Sequence, residues 1–224
     1  MKQNVLLSCG IASSLLYIAM NAFVPLLFAG YSTTTQTVSE LSAIGAPTRS
    51  LWVWLAMLYI LLFAAFGLGV WQSAADNKAL RTTGKLILIY VLINFYWPPM
   101  HLRGFERTMT DTLHIVWAMI TLFLMMSIMV LGAVALGRLF RIYTFMTFVI
   151  FITFGILIGT EAPGIPQNTP TPHIGIWERI NIGTFMLWVI VFAVTLLKRE
   201  KVFKPGPSGS IEKIVTTARS SLNG

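Results

Sequence analysis

Six apolar runs divide this 224-residue chain, at about residues 5–29, 50–71, 85–102, 112–137, 142–160 and 177–197. A helix takes roughly 20 apolar residues to cross a hydrocarbon layer. Inside that layer no water satisfies the backbone, so each run has to close its own hydrogen bonds, and the helix does so. The predicted fold class is therefore an all-α integral membrane protein, a six transmembrane helix bundle over residues 1–200, its third and fifth spans on the short side. Composition agrees: 56% of residues are hydrophobic and 11% charged, more apolar surface than one water-soluble core absorbs. The first run is longer than the apolar region of a signal peptide and shows no small-residue cleavage site, so it reads as an uncleaved span. Cys9, the single cysteine, has no partner for an intrachain disulfide.

An even number of spans puts both termini on one side, and charge decides which. Of the 16 Lys and Arg, all but Arg49, Arg103, Arg107 and Arg179 fall in segments on the side of the termini. Basic loops stay in the cytoplasm. The N- and C-termini are accordingly predicted cytoplasmic and those four arginines external, in a plasma membrane. The same bias accounts for the net charge of +8. No basic groove or interleaving of aromatic and basic residues marks a nucleic-acid surface, so the expected partner is the lipid bilayer, and no nucleic acid is expected. Beyond the last span, KPGPSG at 204–209 cannot continue a helix. Residues 201–224 form a predicted cytoplasmic tail, in which Ile211, Ile214, Val215, Ala218 and Leu222 recur at the spacing of a weak amphipathic helix.

Polar residues at membrane depth are unevenly placed. With about 1.5 Å of rise per residue, Asn21, Asn94, Asp111, His114, Glu161, Glu178, Arg179 and Asn181 all come out near the outer end. Proximity to headgroups lowers the cost of an ionisable group, which explains tolerance but not concentration. Some of these residues have local uses. Thr37 and Glu40 have capping-box spacing and Gly45 and Pro47 supply a stop, so a short helix lying on the membrane surface is predicted within 31–47. Thr108 and Asp111 have the spacing of a helix cap, and Asp111 and Glu178 put negative charge where a helix dipole favours it. Glu161 and Arg179 sit at helix ends that disfavour their signs and are expected to compensate each other.

The stretch HLRGFERTMTDTLH at 101–114 gathers the remaining polar groups. Pro98-Pro99 and Gly104 break one helix before Asp111 and His114 open the next, on a shared face at i, i+3. Several chemistries fit. His101, Asp111 and His114 are candidate metal ligands, zinc being the ion such donors suit, for hydrolysis of a lipid or amide bond, although their spacing matches no compact ligand motif. Asp111 orienting His114 as general base for a hydroxyl such as Ser39 or Ser42 gives nucleophilic catalysis. Asp111, His114 and Glu178 are the catalytic candidates. Arg103, Arg107, Arg179 and Asn181 are the candidate binders of a lipid headgroup or small anionic envelope ligand, because guanidinium groups hold phosphate and carboxylate bidentately. This binding reading leads. Against all of them stands a cluster that only orders the bundle, with function in partner contacts. Proton-coupled transport through Asp111, His114 and Glu161 lacks a polar path across the apolar inner halves.

The segments VSELSAIGAPTR at 38–49, PPMHLRG at 98–104, TMTDTLHIVWAM at 108–119 and IGIWERINIGTFMLWVIVFAVTLL at 174–197 resemble an uncharacterised family of bacterial multi-pass membrane proteins, catalogued as domain of unknown function 998. The resemblance runs from the first span to the sixth. It implies a six-helix fold in a bacterial plasma membrane, and His101, Arg103, Asp111, His114, Glu178, Arg179 and Asn181 as motif positions. It implies no substrate.

Overall fold

A computed structural model of the protein describes residues 3–203. The amphipathic helix expected in the tail lies outside the described residues. Within them are six α-helices: α1 (Gln3–Phe23), α2 (Arg49–Gln72), α3 (Lys78–Asn94), α4 (Met109–Ala135), α5 (Arg138–Glu161) and α6 (Ile174–Phe203). All but α3 are long and apolar enough to cross a membrane.

The third helix departs from expectation. It occupies Lys78–Asn94 rather than 85–102 and has 17 residues. Asn77 sets its start by accepting the Leu80 N–H at 3.0 Å. Its end follows from Pro98-Pro99, because a residue before proline is pushed out of the α region and proline itself lacks the N–H a helix needs. The apolar FYWPPM stretch therefore leaves the helix as a non-helical arm, and α3 is only about 25 Å long.

Successive helices pack in order from α1 to α4, and α6 closes the bundle against both α1 and α5, while α4 and α5 touch only lightly. Large buried rings fill the centre: Phe63, Phe66, Phe185, Trp188 and Phe192 are all fully buried. The Trp188 and Phe192 rings stack at 4.9 Å, and the Tyr59 and Tyr90 hydroxyls share one hydrogen bond at 3.2 Å within the same core. The outer faces carry exposed apolar side chains such as Trp54, Leu92, Phe123, Leu139 and Phe145, which suits a bundle whose solvent is lipid.

Two contacts identify one end of the bundle. Gln3 Nε2 donates to Glu200 Oε1 at 3.1 Å, joining the start of α1 to the end of α6. Asn77 Nδ2 donates to the Ala135 carbonyl at 2.9 Å, placing the α2–α3 and α4–α5 links together. The connections 24–48, 95–108 and 162–173 belong to the opposite, polar end. There the expected surface helix within 31–47 is absent. The segment instead makes one short 3-10 turn, Val38–Ser42, sunk between the helices. Val38 and Leu41 pull it in by packing with Met20, Val24 and Trp52 in a small apolar cluster of their own.

Candidate functional site

Drawing 31–48 into the polar end buries its polar groups, and each then needs a partner. Glu40, with no exposed surface, is the centre of the arrangement. Its Oε2 accepts the Thr37 N–H at 2.7 Å and the Thr37 hydroxyl at 3.1 Å, so the capping box read from spacing forms. Arg103 completes it with two parallel bonds, Nε to Oε1 at 2.8 Å and Nη2 to Oε2 at 2.9 Å. The same guanidinium reaches the Thr171 hydroxyl at 3.1 Å and the Thr35 carbonyl at 3.0 Å. Burial pushes the Glu40 carboxyl up, but Arg103 and the Thr37 N–H outweigh it and hold the group below the usual glutamate range. Glu40 in turn raises Arg103.

Arg179, at the start of α6, is used in the same way. Its Nη1 donates to the carbonyls of Thr33 at 3.0 Å and Gln36 at 3.3 Å, and its Nη2 to the Tyr31 hydroxyl at 2.8 Å. The Tyr31 hydroxyl in turn donates to the Thr37 carbonyl at 2.6 Å, and burial raises that hydroxyl to about 12. Beside Arg179, Glu178 Oε2 accepts the Val38 N–H at 2.6 Å. Glu161 does not compensate Arg179 as expected. It accepts the N–H groups of His173 and Ile174 at 3.1 and 2.8 Å, capping α6 from the end of α5, where the dipole of α6 favours its charge.

The histidines separate. Asp111 caps α4 through the Thr108 N–H at 2.8 Å and the Thr108 hydroxyl at 2.6 Å, as its spacing predicted. It also accepts the His101 N–H at 2.7 Å and contacts His101 Nδ1 at 3.0 Å. Asp111 therefore orients His101, not His114. The expected metal set is not assembled: among the described residues no three His, Cys, Asp or Glu side chains stand together as a metal site.

His114, 6% exposed, points instead at Ser39. Its Nε2 lies 3.1 Å from Ser39 Oγ, and its Nδ1 lies 2.8 Å from the Pro98 carbonyl. The Trp97 Nε1–H donates to the same Nδ1 at 3.1 Å. Nδ1 therefore faces an acceptor and a donor at once: the Pro98 carbonyl calls for a hydrogen on Nδ1, the Trp97 N–H for a lone pair there. In the tautomer that the Pro98 carbonyl favours, the lone pair of Nε2 faces the serine hydroxyl; in the one that Trp97 favours, Nε2–H donates to it. The partner expected of Asp111 is thus a backbone carbonyl from the arm that Pro98-Pro99 breaks.

The candidate ligand-binding residues fare differently. Arg103 and Arg179 are engaged within the chain. Asn181 lies inside the bundle, donating to the Phe151 carbonyl at 2.6 Å and tying α6 to α5. Arg107 is exposed on the 103–108 turn, with no hydrogen bond or ion pair among the described residues. None of Pro98, Trp97, Thr35 and Thr171 was a site candidate from sequence, Pro98 being read only as a helix breaker. Nothing in the periodicity marks these roles, since Pro98 and Thr35 act through backbone carbonyls and the side chains of Trp97 and Thr171 reach other segments.

The fold and this end of it define an all-helical, multi-pass membrane protein with an internally paired polar end. The chain belongs to the family described as Protein of unknown function (DUF998), whose profile matches residues 11–195, from α1 into α6. No curated protein and no solved structure matches it.

Proposed function

We propose that the protein is an acyl-transfer enzyme of a bacterial plasma membrane, its polar end facing outward, with Ser39 as nucleophile and His114 as general base. One observation carries this: Ser39 Oγ stands 3.1 Å from His114 Nε2 while the other ring nitrogen is held by the Pro98 carbonyl. A nucleophile within hydrogen-bond reach of a base that a third group orients is the arrangement covalent catalysis uses. As Ser39 Oγ attacks an acyl carbon, its proton passes to Nε2. The same proton then goes to the leaving alcohol, giving an ester on Ser39. Water or a second hydroxyl, deprotonated by His114, takes the acyl group and restores the serine.

Depth supports a membrane-borne ester as the substrate class. His114 is five residues into α4, about 7–8 Å from its start, beside Trp97 at the level where interfacial aromatics sit. Ester carbonyls of lipids lie at that boundary between headgroup and chain. With Arg103 and Arg179 engaged, Arg107 is the one of the three candidate arginines left exposed for an anionic headgroup. The excess of Lys and Arg toward the termini supports the outward orientation of this end.

A second reading, that the polar groups only order the bundle, is favoured by the Arg103–Glu40 pair. Labelling separates the two. In nanodiscs, a fluorophosphonate probe is expected to modify Ser39, as read by peptide mass spectrometry, with no adduct in Ser39→Ala and labelling at least about 100-fold slower in His114→Ala. Absence of the adduct, or equal rates with and without His114, would favour the ordering role alone.

A further inference from the structure

We infer that the first two turns of α6 form a clamp that positions Ser39 against His114, an inference that rests on the catalytic reading above. The grip has both polarities. Gly175 N–H donates to the Thr34 carbonyl at 2.9 Å, and Arg179 holds the carbonyls of Thr33 and Gln36. Glu178 takes the N–H of Val38, the residue directly before the serine, at 2.6 Å. Gly175 has no substitute here, because a Cβ on it would overlap the Thr33 and Gln36 carbonyl oxygens that Arg179 holds. Among the described residues Glu178 makes no hydrogen bond to Ser39 or His114, only to the Val38 N–H. It is a positioning residue rather than the catalytic one its place in the sequence proposed.

The consequence is kinetic. A catalytic group displaced by about 1 Å loses on the order of 100-fold in rate, and releasing the Val38 N–H frees the backbone one residue from Ser39. The Arg103–Glu40 pair holds the following residue, so the segment stays in the bundle while the serine loses its aim.

The position of residue 39 can be read without any turnover. In a Cys9→Ser, Ser39→Cys background, the pH profile of alkylation by iodoacetamide reports whether the thiol meets the imidazole. A thiol paired with histidine reacts well below the ordinary thiol range near about 8.5. The parent is expected to alkylate readily at pH 6, and His114→Ala to move the profile up to that of an ordinary thiol. Glu178→Gln keeps an oxygen for the Val38 N–H and should keep the parent profile. Glu178→Leu and Gly175→Ala should each lose at least about tenfold in rate at pH 6, about one unit of thiol titration, with helical content retained. Low-pH reactivity that survives both Glu178→Leu and Gly175→Ala, or is lost in Glu178→Gln, overturns the clamp. An intact clamp with no fluorophosphonate adduct on Ser39 would instead remove the catalytic reading and leave the positioning.

Discussion

At the scale of single residues, Glu40 carries the strongest constraint. A fully buried carboxylate survives because Arg103 and the Thr37 N–H meet both oxygens, and removing one member of such a pair leaves the other charge uncompensated. Glu40→Gln is expected to cost about 3–5 kcal/mol, toward the lower end because the Arg103 side chain keeps 20% exposure. The pH dependence has a definite sign. A carboxyl held below its ordinary range contributes its full stabilisation above that range and loses it as pH falls through the lowered value. Melting in detergent should therefore be steady from neutral down to about pH 5 and fall below the ordinary glutamate value near 4.5. Glu40→Gln should remove that part of the acid sensitivity, and an unchanged acid limb would show that the pair is not stabilising. The capping halves of this chemistry, Thr37 with Glu40 and Thr108 with Asp111, were legible because both partners lie within one turn. The arginine was not, since Arg103 reaches a residue 63 positions away. Nor was the partner of His114: the sequence offered His114, Ser39 and Asp111 together, and a proline carbonyl stands in the place expected of the aspartate.

At the scale of elements, the inward pull of Val38 and Leu41 decides what the polar end becomes. A surface helix would have left Ser39 exposed on one face. The buried 3-10 turn brings it to α4. The span boundaries show the same competition between apolarity and backbone rules. Hydropathy alone carried the third span to residue 102, whereas Pro98-Pro99 ends it near Asn94. Close approach of α2 and α3 depends on Gly84, whose added Cβ would sit 2.6 Å from the Trp71 backbone nitrogen. Backbone cannot yield as a side chain does, so Gly84→Ala should destabilise by about 1–3 kcal/mol, measured as a lowered melting temperature. A neutral effect would mean that the two helices separate without cost.

At the scale of the whole molecule, five spans of ordinary length and a shorter α3 form a bundle filled along its centre by aromatic rings, with charge at its two ends. Apolar run length made the helix count and the outer-end bias of polar groups readable. The excess of Lys and Arg toward the termini predicts that the tail is cytoplasmic. In intact spheroplasts and a Cys9→Ser background, a membrane-impermeant maleimide should label Thr169→Cys, which is exposed on the polar end, and spare Ser221→Cys until the cells are lysed. The reverse pattern would invert the site. The most direct trial of the catalytic account is acyl release in nanodiscs of phosphatidylethanolamine and phosphatidylglycerol with isotopically labelled chains, followed by mass spectrometry of both protein and lipid. The account predicts labelled fatty acid or a labelled acyl-transfer product, with a transient acyl mass on Ser39, each abolished by Ser39→Ala and strongly slowed by His114→Ala. Labelled products that form equally without Ser39, or lipid that stays intact with the wild-type protein, would contradict it.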